Sequence, residues 1–213
     1  MLFGEKFKSR KKIFVIGRNK TGTTSVGHAL STMGFKVGKQ SKAERLIDDW
    51  KQRKFKSIVK YCKSAEAFQD VPFSLDYTYQ VMDYEFPESK FILTVRNSAQ
   101  EWYDSLTRFH TKIVGKDRLP TADDLKQFSY RETGWLWRNQ QSVYGIDEQS
   151  LYNKEIYIQH YERHNKTVMD YFKYRENDLL VINLAAPDSM KALSNFLGVP
   201  EYKGDMPHLN KGN

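Results

Sequence analysis

The sequence predicts an α/β domain of three layers, with helices on both sides of a central parallel sheet. Two observations predict it. Ile13-Phe14-Val15-Ile16 is a short apolar run rich in β-branched residues, and it leads through a glycine-bracketed loop into a helical stretch over residues 26–33. Lys90-Phe91-Ile92-Leu93-Thr94-Val95 is a second such run; it ends in Arg96-Asn97-Ser98 and passes into a helical stretch over 99–109. Two strand–loop–helix units in series imply parallel strands joined by βαβ crossovers.

The remaining elements follow in order. Phe35-Lys36-Val37-Gly38 reads as a weak strand. Residues 42–63 are charged, with Leu46, Ile47, Trp50, Phe55, Ile58 and Val59 spaced for one or two amphipathic helices. Ala67-Phe68-Gln69-Asp70-Val71-Pro72 reads as a strand end and a turn, and residues 73–86 as a helix closed by Pro87. Thr121-Ala122-Asp123-Asp124 caps a helix carrying Phe128, Tyr130, Trp135 and Trp137. Residues 153–174 form a long helix, 179–184 a late strand, and 187–197 a helix stopped by Gly198. No linker, repeat or low-complexity segment interrupts the chain, so residues 1–213 are expected to form one domain, with 111–174 as a helical acceptor-side or lid region.

The loop after the first strand carries the chemistry. Gly17-Arg18-Asn19-Lys20-Thr21-Gly22-Thr23-Thr24-Ser25 places a glycine turn at a helix N-terminus, where backbone N–H groups and the helix dipole converge on an anion. A triphosphate-binding P-loop has its lysine directly after the second glycine. Here that slot is Thr23, and the lysine stands two residues before the glycine, at Lys20. The cradle is kept and the cation is displaced, which suits a ligand with one 5′-phosphate and a different group to transfer.

Lys20-Thr21-Gly22-Thr23-Thr24 resembles the 5′-phosphosulfate loop of sulfotransferases that use 3′-phosphoadenosine 5′-phosphosulfate (PAPS). Phe91-Ile92-Leu93-Thr94-Val95-Arg96 with Ser105 resembles the family's 3′-phosphate motif, a strand ending in arginine with a serine some two turns on. The likeness is closer to the small bacterial-type members, through the two nucleotide motifs, Asp70-Val71-Pro72 and the tail Pro207-His208-Leu209-Asn210-Lys211. It implies a P-loop-like sulfotransferase fold and transfer of a sulfuryl group from PAPS to an acceptor hydroxyl on a carbohydrate or small alcohol.

In that reading Lys20 sits at the bridging oxygen and Asp70 stands where cytosolic members carry their catalytic histidine. Arg18, Lys20, Thr21, Gly22, Thr23, Thr24, Ser25, Arg96 and Ser105 bind the nucleotide, with Ser98 a second candidate beside Ser105. Two readings of Asp70 stand side by side: general base and helix cap. The sequence departs from the cytosolic pattern at Ser25, where a tryptophan commonly helps hold the adenine, and in lacking a clear C-terminal glycine-rich loop.

Composition narrows the alternatives. The 213 residues are 14% aromatic and carry a formal net charge of +8, enough for a core and a basic surface suited to an anionic donor. Lysine and arginine are spread along the chain rather than clustered among aromatics, which argues against nucleic acid. A single cysteine, Cys62, excludes an internal disulfide and a cysteine-based zinc site. No acidic or histidine cluster has metal-ligand spacing, and no metal is implied. No apolar run approaches a membrane span or a signal-peptide core, so the expected setting is cytoplasmic. Tyr130, Trp135, Trp137 and Tyr144 read either as an acceptor wall or as core, and His110, His160 and His164 as satisfied histidines. The rival functions are a nucleotide or small-molecule kinase with a degenerate P-loop, and a non-catalytic module that binds adenosine 3′,5′-bisphosphate.

Overall fold

The fold is organised by the alternation of side chains along its first strand, β1 (Ile13–Val15). Ile13 and Val15 point to one face of the sheet and Phe14 to the other, and all three are buried. A strand buried on both faces must lie inside a sheet covered on both sides, which is why the run reads as continuously apolar. The computed structural model describes residues 11–200. Its sheet has the order β2-β1-β3-β4 with β2 (Ala67–Gln69), β3 (Lys90–Val95) and β4 (Leu179–Asn183), and every pairing is parallel. The register sets Val15 opposite Gln69 on one side and Ile92 on the other, so three loops emerge together at the carboxyl end.

The first crossover contains α1 (Thr23–Thr32), α2 (Gln40–Ala43), α3 (Ile47–Lys51) and α4 (Phe55–Tyr61). The second contains α5 (Thr78–Glu85). The third runs through α6 (Ala99–Val114), α7 (Ala122–Gln127), α8 (Trp135–Tyr144) and α9 (Lys154–Phe172), and α10 (Ser189–Leu197) follows β4. Val26 and Leu30 of α1 and Leu193 of α10 pack with Ile13, Val15 and Ile92 on one face. Met82 of α5, Trp102 of α6 and Phe172 of α9 pack with Phe14, Phe68 and Phe91 on the other. These are the three layers expected from the strand–loop–helix units. Among the described residues no helix is long and apolar enough to cross a membrane.

Several elements differ from expectation. Residues 35–38 contribute only one bridge, Val37 to Ala67, because the chain turns into α2 directly after Lys39. The helix expected over 73–86 begins only at Thr78, because Asp70 and Ser74 hold the preceding residues in a turn. The aromatic helix after Thr121 is two helices, broken between Phe128 and Gly134, where Gly134 adopts φ 74°. The capping box at Thr121 and Asp124 forms as the sequence implies, and Ser98 caps α6 by accepting from the Glu101 N–H. The tail residues His208, Asn210 and Lys211 lie outside the described residues.

At Gly17, β1 and β3 approach too closely for any side chain. A Cβ there would fall within 3.0 Å of the Thr94 carbonyl oxygen and amide nitrogen, which are backbone and cannot rotate away. Gly17→Ala is therefore expected to destabilise the fold by about 1–3 kcal/mol or more, the cost of overpacking. A fall in the urea unfolding midpoint checks this, and an unchanged midpoint would show that β1 and β3 are free to separate.

Candidate active site

Strand order places the site. The chain moves from β1 outward to β2 and then returns across β1 to β3, so a crevice opens at the carboxyl ends where the connections diverge. A cleft of about 400 Å³ lies there. Its floor and near wall come from the loop after β1 (Asn19, Lys20, Gly22, Thr23, Thr24), the end of β2 (Gln69, Asp70) and Arg96 after β3. Its far wall comes from the first two crossover segments and the α6–α8 region, including Glu44, His110, Tyr130, Arg131, Trp135 and Asn139.

Lys20 and Arg96 meet in this cleft. Arg96 Nε donates to the Lys20 carbonyl at 2.9 Å, and the Arg96 amide donates to the Tyr161 hydroxyl at 3.0 Å. Tyr161 stacks on Trp102, with ring centroids 4.7 Å apart, and Trp102 Nε1 donates to the Asn19 carbonyl at 2.9 Å. A ring pair from α6 and α9 thus clamps the loop to the end of β3. Lys20 itself has φ 67°, a left-handed backbone that turns its side chain into the cleft, with Nζ 3.6 Å from the Phe109 ring centroid. Burial lowers its pKa to about 8; nearby Asp70 pulls it up, and Arg96 pushes it down further. Gly22 is the N-cap of α1, with φ 101° and no side-chain cap, so the positive end of the helix faces the cleft unblocked by the protein.

Asp70 lies in the same cleft at the end of β2. Its Oδ1 accepts from the Val71 N–H at 2.8 Å, and Thr23 Oγ1 approaches Oδ2 at 3.4 Å. Asp70 caps no helix, since α5 begins at Thr78 with Tyr77 as its N-cap. Instead it closes the turn, and the Ser74 N–H donates to its backbone carbonyl at 2.9 Å. Burial raises its pKa; the Val71 N–H and the Lys20 charge oppose this without cancelling it. The carboxylate is therefore a stronger base than one in water. Glu44 is a second carboxylate of the cleft. Burial raises its pKa to about 7 despite its ion pair with Arg131.

The structure separates the remaining sequence-predicted residues by role. Thr23 and Thr24 reach the cleft; Ser25 is buried within the first turn of α1. Thr21 is buried under the loop, its hydroxyl donating to the Arg18 carbonyl at 2.6 Å and meeting Thr94. Arg18, expected at the phosphates, instead points away from the cleft. It is 2% exposed, with Nη1 donating to the Ser74 carbonyl at 3.0 Å and Nη2 to Asp76 at 2.8 Å. Nη2 also lies 3.2 Å from His160 Nδ1, and His164 donates through Nε2 to the Ile16 carbonyl at 2.8 Å. Burial opposes the Asp76 charge, but His164, Arg18 and His160 outweigh it and hold the carboxyl well below its usual range. Ser105 is half-buried on α6 and does not line the cleft, because the helix turns that position away; Ser98 is occupied as a cap.

Sequence reasoning missed Glu44, Arg131, His110 and Asn139. His110 had a signal: Trp102, Leu106 and His110 recur every four residues and form the buried stripe of α6. Its Nδ1 is 2.9 Å from the Tyr152 hydroxyl, and burial lowers its pKa to about 3, so it is neutral. Glu44 and Arg131 had none, since each reads as an ordinary surface charge until the tertiary fold pairs them. Tyr130 and Trp135 line the cleft, while Trp137 and Tyr144 are core. Among the described residues no group of three or more His, Cys, Asp or Glu side chains is placed to hold a metal ion.

A family model described as a sulfotransferase domain matches residues 12–213. The chain belongs to that family. No curated protein matches it. As a sulfotransferase-domain protein it is a transferase of sulfuryl groups, and the crevice with Lys20, Asp70 and Arg96 is its candidate active site.

The Lys20 shift gives this sulfotransferase site a pH signature. An anion bound at Lys20 stabilises the ammonium form and raises its pKa. Affinity for inorganic sulfate, which stays a dianion throughout this range, should then fall by up to about tenfold per pH unit above about pH 8. Calorimetric titration checks this, and a level affinity well into the alkaline range would remove Lys20 from the anion site.

Proposed function

We propose that this sulfotransferase moves a sulfuryl group from PAPS to an acceptor hydroxyl on a carbohydrate or small alcohol, releasing adenosine 3′,5′-bisphosphate. The observation that carries the reading is the meeting of Lys20 and Arg96, from the loops after the neighbouring strands β1 and β3, in one cleft that also holds a desolvated Asp70. The residues present fit the donor. The uncapped start of α1 at Gly22, with Thr23 and Thr24, suits the 5′-phosphate, and the Arg96 guanidinium suits the 3′-phosphate. PAPS supplies sulfate activated as a mixed anhydride with its 5′-phosphate.

The protein's own groups then divide the work. Asp70 takes the proton of the attacking hydroxyl as its oxygen bonds to sulfur. The bond from sulfur to the bridging oxygen breaks, and its electron pair stays on that oxygen, which remains with the 5′-phosphate. Lys20 faces the charge that builds there, so its cation is worth more in the transition state than in the ground state. Asp70 suits this role because desolvation has raised its basicity toward working pH.

Two experiments test the reading. Adenosine 3′,5′-bisphosphate should raise the melting temperature far more than AMP or ATP with magnesium, because both of its phosphates find a grip. Preferential stabilisation by ATP with magnesium would mark a kinase instead. Asp70→Asn should lower sulfuryl transfer by about 10²–10⁴-fold and leave bisphosphate affinity within about twofold. Turnover near the wild-type rate in that variant would reduce Asp70 to a closer of its turn.

A further inference from the structure

Three cations line the cleft, Lys20, Arg96 and Arg131, and they are not held alike. Arg96 pairs with Glu101 at 3.2 Å, and Arg131 pairs with Glu44. Among the described residues Lys20 Nζ makes neither a hydrogen bond nor an ion pair; what it meets is the face of the Phe109 ring, 3.6 Å from the centroid. A half-buried ammonium without an oxygen partner is costly, and a ring face is a partner that attracts it without carrying a charge. Phe109 stands one turn of α6 before Ile113, and both side chains line the cleft. Its ring is half-buried and joins neither of the two packed cores of the sheet, so core packing is not what places it there. The other groups that act on Lys20 oppose each other: Asp70 from the end of β2 favours the cation and Arg96 after β3 disfavours it. His110, next to Phe109 on α6, is neutral.

We propose that Phe109 is the positioning residue of Lys20: its ring face holds the ammonium in the cleft and leaves the positive charge uncancelled for the anion that arrives there. This rests on the reading of the cleft as a sulfuryl-transfer site. The stem of a lysine is flexible, so its backbone alone does not fix where the charge stands. The left-handed turn at Lys20, φ 67°, sets the near end of the side chain, and the ring sets the far end. A carboxylate in the place of the ring would hold Lys20 as firmly but would cancel its charge, and the donor would have to displace it. The ring carries no charge to displace. An ammonium has three N–H donors, and a ring against one side leaves the opposite side open to oxygens of the donor. The charge is then already in place when it is needed at the bridging oxygen, with little reorganisation at the moment of transfer.

The test uses the whole chain with a perfluorinated phenylalanine at position 109, which keeps the shape of the ring and reverses the sign of its face. Two readouts are taken. The Lys20 Cε resonance, assigned by its absence in Lys20→Met, is titrated by NMR, and the affinity for inorganic sulfate is measured by calorimetry near neutral pH. A ring that attracts the cation raises its pKa, so reversing the face should lower the titration midpoint from about 8 by about one pH unit. Sulfate affinity should fall by about three- to tenfold. Phe109→Leu should move both readouts the same way. Phe109→Tyr, which keeps the attractive face, should retain the wild-type midpoint and affinity. A ring that only fills space would leave the midpoint where it is when its shape is kept. A midpoint unmoved by the perfluorinated ring therefore overturns the proposal, and so does an undiminished sulfate affinity in Phe109→Leu. Either result, in a chain that adenosine 3′,5′-bisphosphate stabilises, overturns this inference alone; a wild-type chain that the bisphosphate does not stabilise overturns the functional reading beneath it.

Discussion

The site depends on one half-buried ion pair, Arg18 with Asp76. Arg18 leaves the anion loop after β1 and crosses beneath it to Asp76 and the Ser74 carbonyl, in the turn that follows Asp70. The loop that carries Lys20 and the turn that carries Asp70 are thus fastened to each other below the cleft. Removing one partner of such a pair leaves an uncompensated charge in a poorly hydrated place, which is costly in a way that removing both is not. His164 joins the pair to the Ile16 carbonyl of the same strand, and His160 lies against the guanidinium. An arginine whose sequence position suggests a phosphate contact is instead the tie that keeps Asp70 and Lys20 in register.

Above that tie the cleft is electrically divided. The end formed by Lys20, Arg96 and the start of α1 is cationic and desolvated, and the lowered pKa of Lys20 expresses the cost of holding a charge there without an anion. The far wall is balanced, with Glu44 against Arg131, and presents neutral amides, an imidazole and rings. The asymmetry leaves one end of the cleft suited to an anion and the other without net charge. Asp70 has a raised pKa for the same reason that Lys20 has a lowered one: burial penalises each charge, and each is the other's partial compensation.

Much of this was legible in order along the chain. The apolar runs at Ile13 and Lys90, the Gly17 and Gly22 bracket, the Ser98 and Thr121 caps and the Gly198 stop are local signals, and each formed where its chemistry directs. The misread elements are those where a long-range contact overrules local propensity. The stretch before Thr78 is held as a turn by the Asp70–Ser74 bond and by Arg18, from the loop after β1. The break between α7 and α8 closes the far wall of the cleft with Tyr130 and Arg131.

By itself the sequence determined the layered α/β architecture, the glycine-bracketed loop at a helix start and the presence of a lysine, an arginine and an aspartate at three strand ends, because strand, loop and cap chemistry acts over a few residues. Only the tertiary structure decided which of those charges face the cleft and which face each other. Arg18 and Lys20 are two residues apart with the same charge, yet one is matched below the loop and the other is open above it. That difference arises from the left-handed turn at Lys20 and from Asp76 arriving from a separate crossover, and no local pattern encodes the meeting of two such distant segments.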